Sequence, residues 1–302
     1  MKWIVGLGLN HRSGGAISLG SWLRDGATDG AEHVLRATHV VEQPEQLLAV
    51  RWCIKTVAQV VRLAELAAES LLTEAGARAQ FDDLDVVVAA DTAAMLEKRC
   101  VESSTHGLLI GRAARTGEHA ISRLGRVARR LLRALPAPVI VAPPELRVRD
   151  IAAGPLLIAT DLKPHSVPAL HFAQALAKSV GRPIRVLHVA PEHSELAPAF
   201  VPVTLEPGVR AAYEQSARNA VARWGAAAGL SDDDIDLEFG RPEACILSAA
   251  KRIGAPIIVC GSRRSTATER IFHPSLGARL AAIAGCAVAI VPAPECTPRD
   301  EE

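Results

Sequence analysis

A glycine, an arginine and a hydroxyl stand near the end of the chain at a spacing that suits phosphate binding. The apolar run at 257–260 ends at Gly261, a polar loop carrying Arg264 follows, and a helical pattern restarts at Ser275. This order places backbone N–H groups and a helix N-terminus at the carboxyl end of a strand. Anions and nucleotides bind at that place in parallel α/β sheets. The segment 257–280 therefore predicts an anion-binding loop.

The elements that must position this loop alternate between strand and helix patterns, and the alternation occurs twice. In the first half, strands are predicted at 2–9, 32–41, 84–89, 108–110 and 138–142, and helices at 16–23, 45–75, 91–101 and 122–135. In the second half, strands are predicted at 155–160, 184–189, 235–239, 257–260 and 287–291, and helices at 166–180, 208–228, 243–253 and 275–284. The aperiodic insertion 190–207 is predicted to be a loop.

The two halves also share short sequence similarities in the same order. THVVE from Thr38 matches LHVAP from Leu187, and LLIGR from Leu108 matches IVCGS from Ile258. Alternating strands and helices imply parallel sheets with right-handed crossovers. We expect two domains, at 1–147 and 153–302, of which each holds an open five-stranded, mostly parallel α/β sheet with helices on both faces.

Composition limits the classes of function. The 302 residues are 49% apolar but only 3% aromatic, with a net charge of +1, which argues against nucleic acid as the main partner. No apolar run reaches membrane-spanning length, and the N-terminus lacks the features of a signal peptide. The six cysteines form no CxxC pair, which favours buried thiols in a reducing compartment. We therefore expect a cytoplasmic protein.

Each half resembles the universal stress protein domain. The second half carries the resemblance in LLIATDLKPHSVPALHFAQALA, IRVLHVAP and LEFGRPEACILSAAKRIGAPIIVCGS, and the first half in VVVAADTAAMLEKRC, THGLLIGR and LGRVARRLLRALPAPVIVAP. The resemblance implies a stress-response protein with the fold of the adenine nucleotide alpha hydrolases. It also implies dimerisation through the last strand, a pairing that two domains can make within one chain.

ATP-binding members of that family use an aspartate that ends the first strand, backbone groups after the second, and a G-x2-G-x9-G-S/T loop after the fourth. In this sequence the resemblance assigns these roles to Asp161, Val189, Gly261 and Ser275. Arg264 replaces the second glycine and Pro274 the third. The guanidinium could bind a phosphate, whereas the proline removes one backbone donor. We expect ATP or AMP in this half if any nucleotide binds.

The first half departs further from that pattern. Gly8 stands in place of the aspartate, Ala114 replaces the second glycine, Gly125 comes one residue late, and Arg126 follows where the serine should stand. We expect no ATP there. The Arg-rich segment 112–133 is interpreted as a solvated helix face, with an anionic partner or ligand as the alternative; its arginines are Arg112, Arg115, Arg123, Arg126, Arg129, Arg130 and Arg133.

Simpler structural roles compete with these assignments. Asp161 fits a turn or helix cap as well as an adenosine contact, and for Ser275 a plain N-cap is favoured. Several histidines lie near the strand ends without the spacing of a helical metal pair, so no metal site is expected; they are His165, His171, His188 and His193. No catalytic motif is found, which favours a protein that is not an enzyme.

Three functions therefore remain open. The first is a stress-response protein that binds an adenine nucleotide in its second domain and acts through protein contacts. Its two domains would pair within the chain, and two chains could in addition form a homodimer. The second is a scaffold that binds no nucleotide. The third is a nucleotide-hydrolysing enzyme of similar fold, which would need a phosphate loop near the end of the first strand, and KPHS after Asp161 is not such a loop.

Overall fold

A single ten-stranded sheet runs through the whole molecule. The computed structural model describes residues 1–9, 11–44, 56–113, 124–192, 207–262 and 275–293. The strands are β1 Lys2–Leu7, β2 Val34–Glu42, β3 Asp83–Ala89, β4 Gly107–Gly111, β5 Val139–Ala142, β6 Leu156–Thr160, β7 Ile184–Ala190, β8 Ile235–Phe239, β9 Ile257–Ser262 and β10 Ala287–Pro292. Their order is β3-β2-β1-β4-β5-β10-β9-β6-β7-β8.

Helices flank both faces of this sheet. They are α1 Gly14–Asp25, α2 Val57–Glu74, α3 Thr92–Glu102, α4 Gly125–Ala134, α5 Val167–Ser179, α6 Pro207–Ala227, α7 Pro242–Ile253 and α8 Leu276–Ile283. The short 3-10 turns His11–Ser13 and Pro164–Ser166 precede α1 and α5. Every strand predicted from the sequence is present in the structure. Each predicted helix overlaps one of the eight helices α1 to α8, although residues 45–55 of the helix predicted at 45–75 lie outside the described residues.

The halves join through their last strands. Within each half the strands are parallel, but β5 and β10 pair antiparallel, with Ala289 opposite Ile140. The two five-stranded, parallel sheets predicted from the sequence are thus present and are joined at their edges into one continuous sheet, because each last strand would otherwise leave its backbone groups unpaired. The pairing implied by the family resemblance is made here within one chain.

Each face of the sheet has one apolar core that extends across both halves. One core packs α1, α2, α5 and α6 against the sheet, and the other packs α3, α4, α7 and α8 against the opposite face. Parallel strands that are buried on both faces have continuous apolar sequences, such as the fully buried LLIAT of β6. The contacts between halves also include Thr28, whose N–H donates to the carbonyl of Ser179 at 2.9 Å.

Arg112 is buried between the halves, which corrects its assignment to a solvated helix face. The side chain is 4% exposed and follows β4. Its guanidinium donates to the carbonyls of Ala282 at 2.8 Å and Ala284 at 3.1 Å, at the C-terminal end of α8, and lies 3.8 Å from Glu145. A cation at a helix C-terminus satisfies carbonyls that have no partner within the helix. Arg112 therefore ties the first half to α8 of the second.

Candidate functional site

A cleft of about 490 Å³ opens at the carboxyl ends of the strands in the second half. We call it the second cleft; its described lining is Ala159, Thr160, Asp161, His165, Ser166, Leu187, Val189, Pro242, Ile246, Cys260, Gly261, Ser262, Ser275, Leu276 and Gly277. The structure thus brings Asp161, Val189, Gly261 and Ser275 to one cavity, whose size is within the range of small-molecule sites. Arg264 and Pro274 lie outside the described residues.

Asp161 is held at the mouth of the second cleft by two local contacts. Its carboxylate lies 3.0 Å from Nε2 of His165 and accepts the N–H of Lys163 at 3.2 Å. Between them Leu162 adopts φ = 59°, a left-handed conformation that is uncommon for a bulky side chain. Such backbone strain is concentrated at ligand-binding sites. The carboxylate is partly exposed and oriented before any ligand binds.

Gly261 has a packing role that the sequence did not indicate. A Cβ at this position would lie 3.1 Å from the carbonyl oxygen of His165, because the chain leaving β6 crosses directly over the end of β9. In the first half, a Cβ on Gly111 would lie 2.2 Å from the carbonyl oxygen of Arg12. The crossing chain therefore requires a glycine at Gly111 and leaves little room for a side chain at Gly261, independently of any phosphate.

Ser275 caps α8, as expected for a plain N-cap. Its hydroxyl accepts the N–H of Ala278 at 3.2 Å. The helix that it starts points its N-terminal end into the second cleft, so the positive end of the helix dipole faces the cavity. Gly277 lets α8 approach the sheet, since a Cβ there would lie 2.9 Å from Ile290. The helix can therefore favour a bound anion without a further side-chain donor.

Cys260 and its neighbour Cys286 contribute no nucleophile to the second cleft. Burial raises the pKa of the Cys260 thiol to about 12 and that of Cys286 to about 11, so both are protonated at neutral pH. The described cysteines are all free thiols. Among the residues that the structure describes, no group of three His, Cys, Asp or Glu side chains is placed to hold a metal ion.

A corresponding cleft of about 420 Å³ lies in the first half, and we call it the first cleft. Strand register shows which positions match. Val5 pairs with Leu109 as Ile158 pairs with Val259, and Leu7 pairs with His39 as Thr160 pairs with His188. The following pairs of positions are therefore equivalent, with the residue of the first cleft named first in each pair: Gly6 and Ala159, Gly8 and Asp161, Arg12 and His165, and Thr38 and Leu187.

The histidines at the ends of the second strands are a structural feature that sequence reasoning missed. His39 Nδ1 lies 2.9 Å from the carbonyl oxygen of Leu7, and His188 Nδ1 lies 2.9 Å from that of Thr160. Each ring thus connects the ends of the first two strands of its half. Burial lowers the pKa of His39, which favours its neutral form. The aligned repeats THVVE and LHVAP contained the signal.

The remaining described arginines of the segment 112–133 are partly neutralised. Arg126 lies 2.6 Å from Glu42, and Arg130 is hydrogen-bonded to Asp91. Glu42 also accepts the N–H of Thr92 at 2.7 Å, and these hydrogen bonds lower the pKa of its carboxyl group. Asp91 caps α3 by accepting the N–H of Ala94 at 2.8 Å. Arg115 and Arg123 lie outside the described residues.

Comparison with solved structures supports this architecture over nearly the whole chain. A universal stress protein from Archaeoglobus fulgidus DSM 4304 is 17% identical, with a TM-score of 0.63 over 96% of this chain and 98% of that one. A functionally unknown protein from Pseudomonas aeruginosa PAO1 is 15% identical, with a TM-score of 0.63 over 97% and 92%. At these identities the likeness shows the fold alone.

Comparison by sequence gives a narrower result. No curated protein matches the chain. In the described part of the chain, no helix is long and apolar enough to cross a membrane. The sequence model of the universal stress protein family matches residues 153–292, the half that holds the second cleft. The first half repeats the same strand order. Residues 153–292 therefore belong to the universal stress protein family, within a chain that has the fold of these proteins throughout.

Proposed function

We propose that this protein is a stress-response protein of two universal stress protein domains, at 1–147 and 153–302, and that the second cleft binds an adenine nucleotide, ATP or AMP. The observation that carries the proposal is the position of Asp161 across from Ser275, a carboxylate and a helix N-terminus that share one cavity. A carboxylate can accept hydrogen bonds from adenine or ribose, while a helix N-terminus favours phosphate.

In this proposal each side of the second cleft has its own part. Asp161 and the backbone at Val189 stand at the ends of β6 and β7, where the adenosine would lie. The other side of the cleft, where the phosphates would lie, is formed by Gly261, Ser262 and the start of α8. His165 lies 3.0 Å from the Asp161 carboxylate and keeps it oriented toward this mouth.

The protein acts through contacts with other proteins, in the cytoplasm, and not by turnover. The described lining of the second cleft has one carboxylate, Asp161, which contacts a histidine and a backbone N–H. Hydrolysis of a phosphoanhydride would need a placed base or metal-binding carboxylates close to the phosphates. The free thiols of the described cysteines agree with a reducing compartment.

Calorimetric titration with ATP, ADP and AMP tests this proposal. We expect saturable binding that weakens at least about tenfold in Asp161→Ala, because a charge-assisted hydrogen bond stabilises a complex by about 1.5–3 kcal/mol. Glu238→Ala is the matched control, since that carboxylate lies on β8 and pairs with Arg252. A phosphate-release assay on the same samples should show no turnover.

The outcomes separate the three candidate functions. Binding that is lost in Asp161→Ala without phosphate release supports the proposal. Absence of binding for all three nucleotides would favour a scaffold that works through protein contacts alone. Phosphate release by the wild type that is absent from Asp161→Ala would contradict the non-enzymatic assignment and favour a hydrolase.

A further inference from the structure

One of the two outermost strands, β3, has an open edge. All seven of its residues pair with β2, and no other described strand lies beside it. None of the seven is buried, whereas all four residues of β5, which has a neighbour on both sides, are buried. Because the backbone groups along a strand point alternately to its two sides, those of β3 that face away from β2 can pair with a further strand.

The sequence of β3 lacks the features that keep most edge strands from pairing. Its residues, DLDVVVA, include no lysine and no proline, and the last four carry no charge. The two carboxylates at its start are paired within the chain, since Asp83 lies 3.0 Å from Arg36 and Asp85 lies 2.8 Å from Arg99. Edge strands are usually shielded by charge, by proline or by short length, so the second half of β3 is suited to strand pairing.

The other outermost strand, β8, is better shielded. It has only five residues, IDLEF, with carboxylates at Asp236 and Glu238. Their partners Arg185 and Arg252 add two further charged side chains along the same short strand. Short length and charge both discourage edge pairing. We therefore expect β3, and not β8, to take a partner strand.

The helix over β3 adds an exposed apolar surface beside this edge. α2 packs on β2 and β3, and Val86 lies against the apolar cluster between them. Side chains alternate along a strand, so Val88 lies on the same face as Val86. Val88 is 40% exposed, and Leu63 and Leu66 of α2 are 49% and 52% exposed. Three of the six large apolar side chains that are exposed among the described residues thus belong to β3 or α2, a grouping typical of contact surfaces.

The junction between the two halves shows how such an edge is paired in this fold. There an apolar run of β5, Val139 to Val141, pairs antiparallel with β10. Antiparallel pairing of two equivalent strands relates them by a two-fold axis perpendicular to the sheet, so equivalent helices come to the same face. Accordingly α1 and α5, which follow the first strand of each half, pack into one core. A second copy of the chain at β3 would bring a second α2 beside the first in the same way.

We propose that two copies of this chain form a two-fold dimer in which their β3 strands pair antiparallel, with Leu63 and Leu66 of both α2 helices at the same contact. The partner is a second copy because the open edge and the apolar side chains are used by both copies at once, and such an isologous contact closes. The dimer would have one sheet of twice ten strands, with the shielded β8 strands at its ends. The proposal does not depend on what either cleft binds.

Sedimentation equilibrium of the full chain at micromolar concentration tests this inference. We expect the wild type to have twice the chain mass of 31.9 kDa. Val88→Lys should weaken the association by about tenfold or more, because it places a lysine on the edge strand of each copy and brings like charges together in the dimer. Val101→Lys is the matched control, since Val101 is an exposed valine of α3, which packs on the opposite face of the sheet. This variant should dimerise as the wild type does.

Hydrogen exchange of the wild type locates the contact without any substitution. The amide protons of residues 83–89 should exchange more slowly as the protein concentration rises, whereas those of residues 235–239 on β8 should not change. The inference is overturned if the wild type is monomeric throughout the micromolar range, or if Val88→Lys folds and dimerises as tightly as the wild type. It is also overturned if the concentration-dependent protection occurs at β8 and not at β3.

Discussion

At the scale of single residues, one buried histidine makes the fold sensitive to acid. His33 precedes β2, is fully buried, and accepts a hydrogen bond from Nε1 of Trp3 at 2.9 Å. Burial lowers the pKa of His33 from 6.5 to about 4, because the charged ring would lose its hydration. The folded protein therefore holds His33 neutral.

We expect His33 to reduce stability as the pH falls. The unfolded chain takes up a proton near pH 6.5 while the folded chain does so only near pH 4, so stability is complete above 6.5 and declines between these values. The full shift corresponds to about 3 kcal/mol. Urea unfolding at pH 7.5 and 4.5 should show a larger loss for wild type than for His33→Gln, which retains an acceptor for Trp3.

His171→Gln is the control, because His171 lies on α5 and is exposed. This variant should lose as much stability on acidification as wild type does. Equal losses in wild type and His33→Gln would show that the folded protein accommodates the charged ring. Two more histidine contacts, those of the half-buried His39 and His188, remain in all three proteins and cancel in the comparison.

At the scale of elements, α8 depends on a residue from the other half of the chain. Its N-terminus is capped locally by Ser275, but its C-terminus is capped by Arg112, about 170 positions earlier in the sequence. Helix ends leave carbonyls unsatisfied, and a buried end needs such a partner. The same helix lines the second cleft with its N-terminal residues, so Arg112 supports the proposed nucleotide site from a distance.

Arg112→Met should destabilise the protein by about 3 kcal/mol, because buried carbonyls at the end of α8 lose hydrogen bonds from a charged donor. The free energy of unfolding from urea titration measures this change. Arg129→Met, on the exposed face of α4, should change it by less than about 0.5 kcal/mol. Similar values for the two variants would mean that water or a neighbouring group satisfies the carbonyls when Arg112 is removed.

At the scale of the whole molecule, the antiparallel pair of β5 and β10 makes one sheet out of two repeats. Every strand of the sheet then has a neighbouring strand on both sides, except β3 and β8, which are the two outermost strands. The two apolar cores continue across this junction, so the halves share packing as well as hydrogen bonds. We infer that each half needs a partner at its last strand, which the other half supplies.

A fragment of residues 153–302 should therefore dimerise through β10. Its last strand would present an unpaired edge that a second copy can cover, since exposed edges promote strand pairing. Sedimentation equilibrium at micromolar concentration should give twice the mass of the fragment. Addition of a fragment 1–147 should convert this dimer into a one-to-one complex of the two halves. A fragment 153–302 that stays monomeric would contradict this view of the junction.

Local patterns in the sequence sufficed for the elements and their repetition. Continuous apolar runs mark strands buried on both faces, and residues such as Asp91, Pro242 and Ser275 mark helix starts through contacts within four positions. The carboxyl ends of parallel strands share one edge of a sheet, so Asp161 and Gly261 could be expected in one cleft. The sequence alone therefore determined the fold class of each half and brought four residues of the second cleft into the prediction: Asp161, Val189, Gly261 and Ser275.

Only the tertiary structure decided how the halves combine and what several residues do. Three contacts join positions that are about 100 or more residues apart in the sequence: the β5–β10 pair, the contact of Arg112 with α8, and the crossing of the chain over Gly261. No local periodicity records such contacts, because they depend on which edges and helix ends meet after folding.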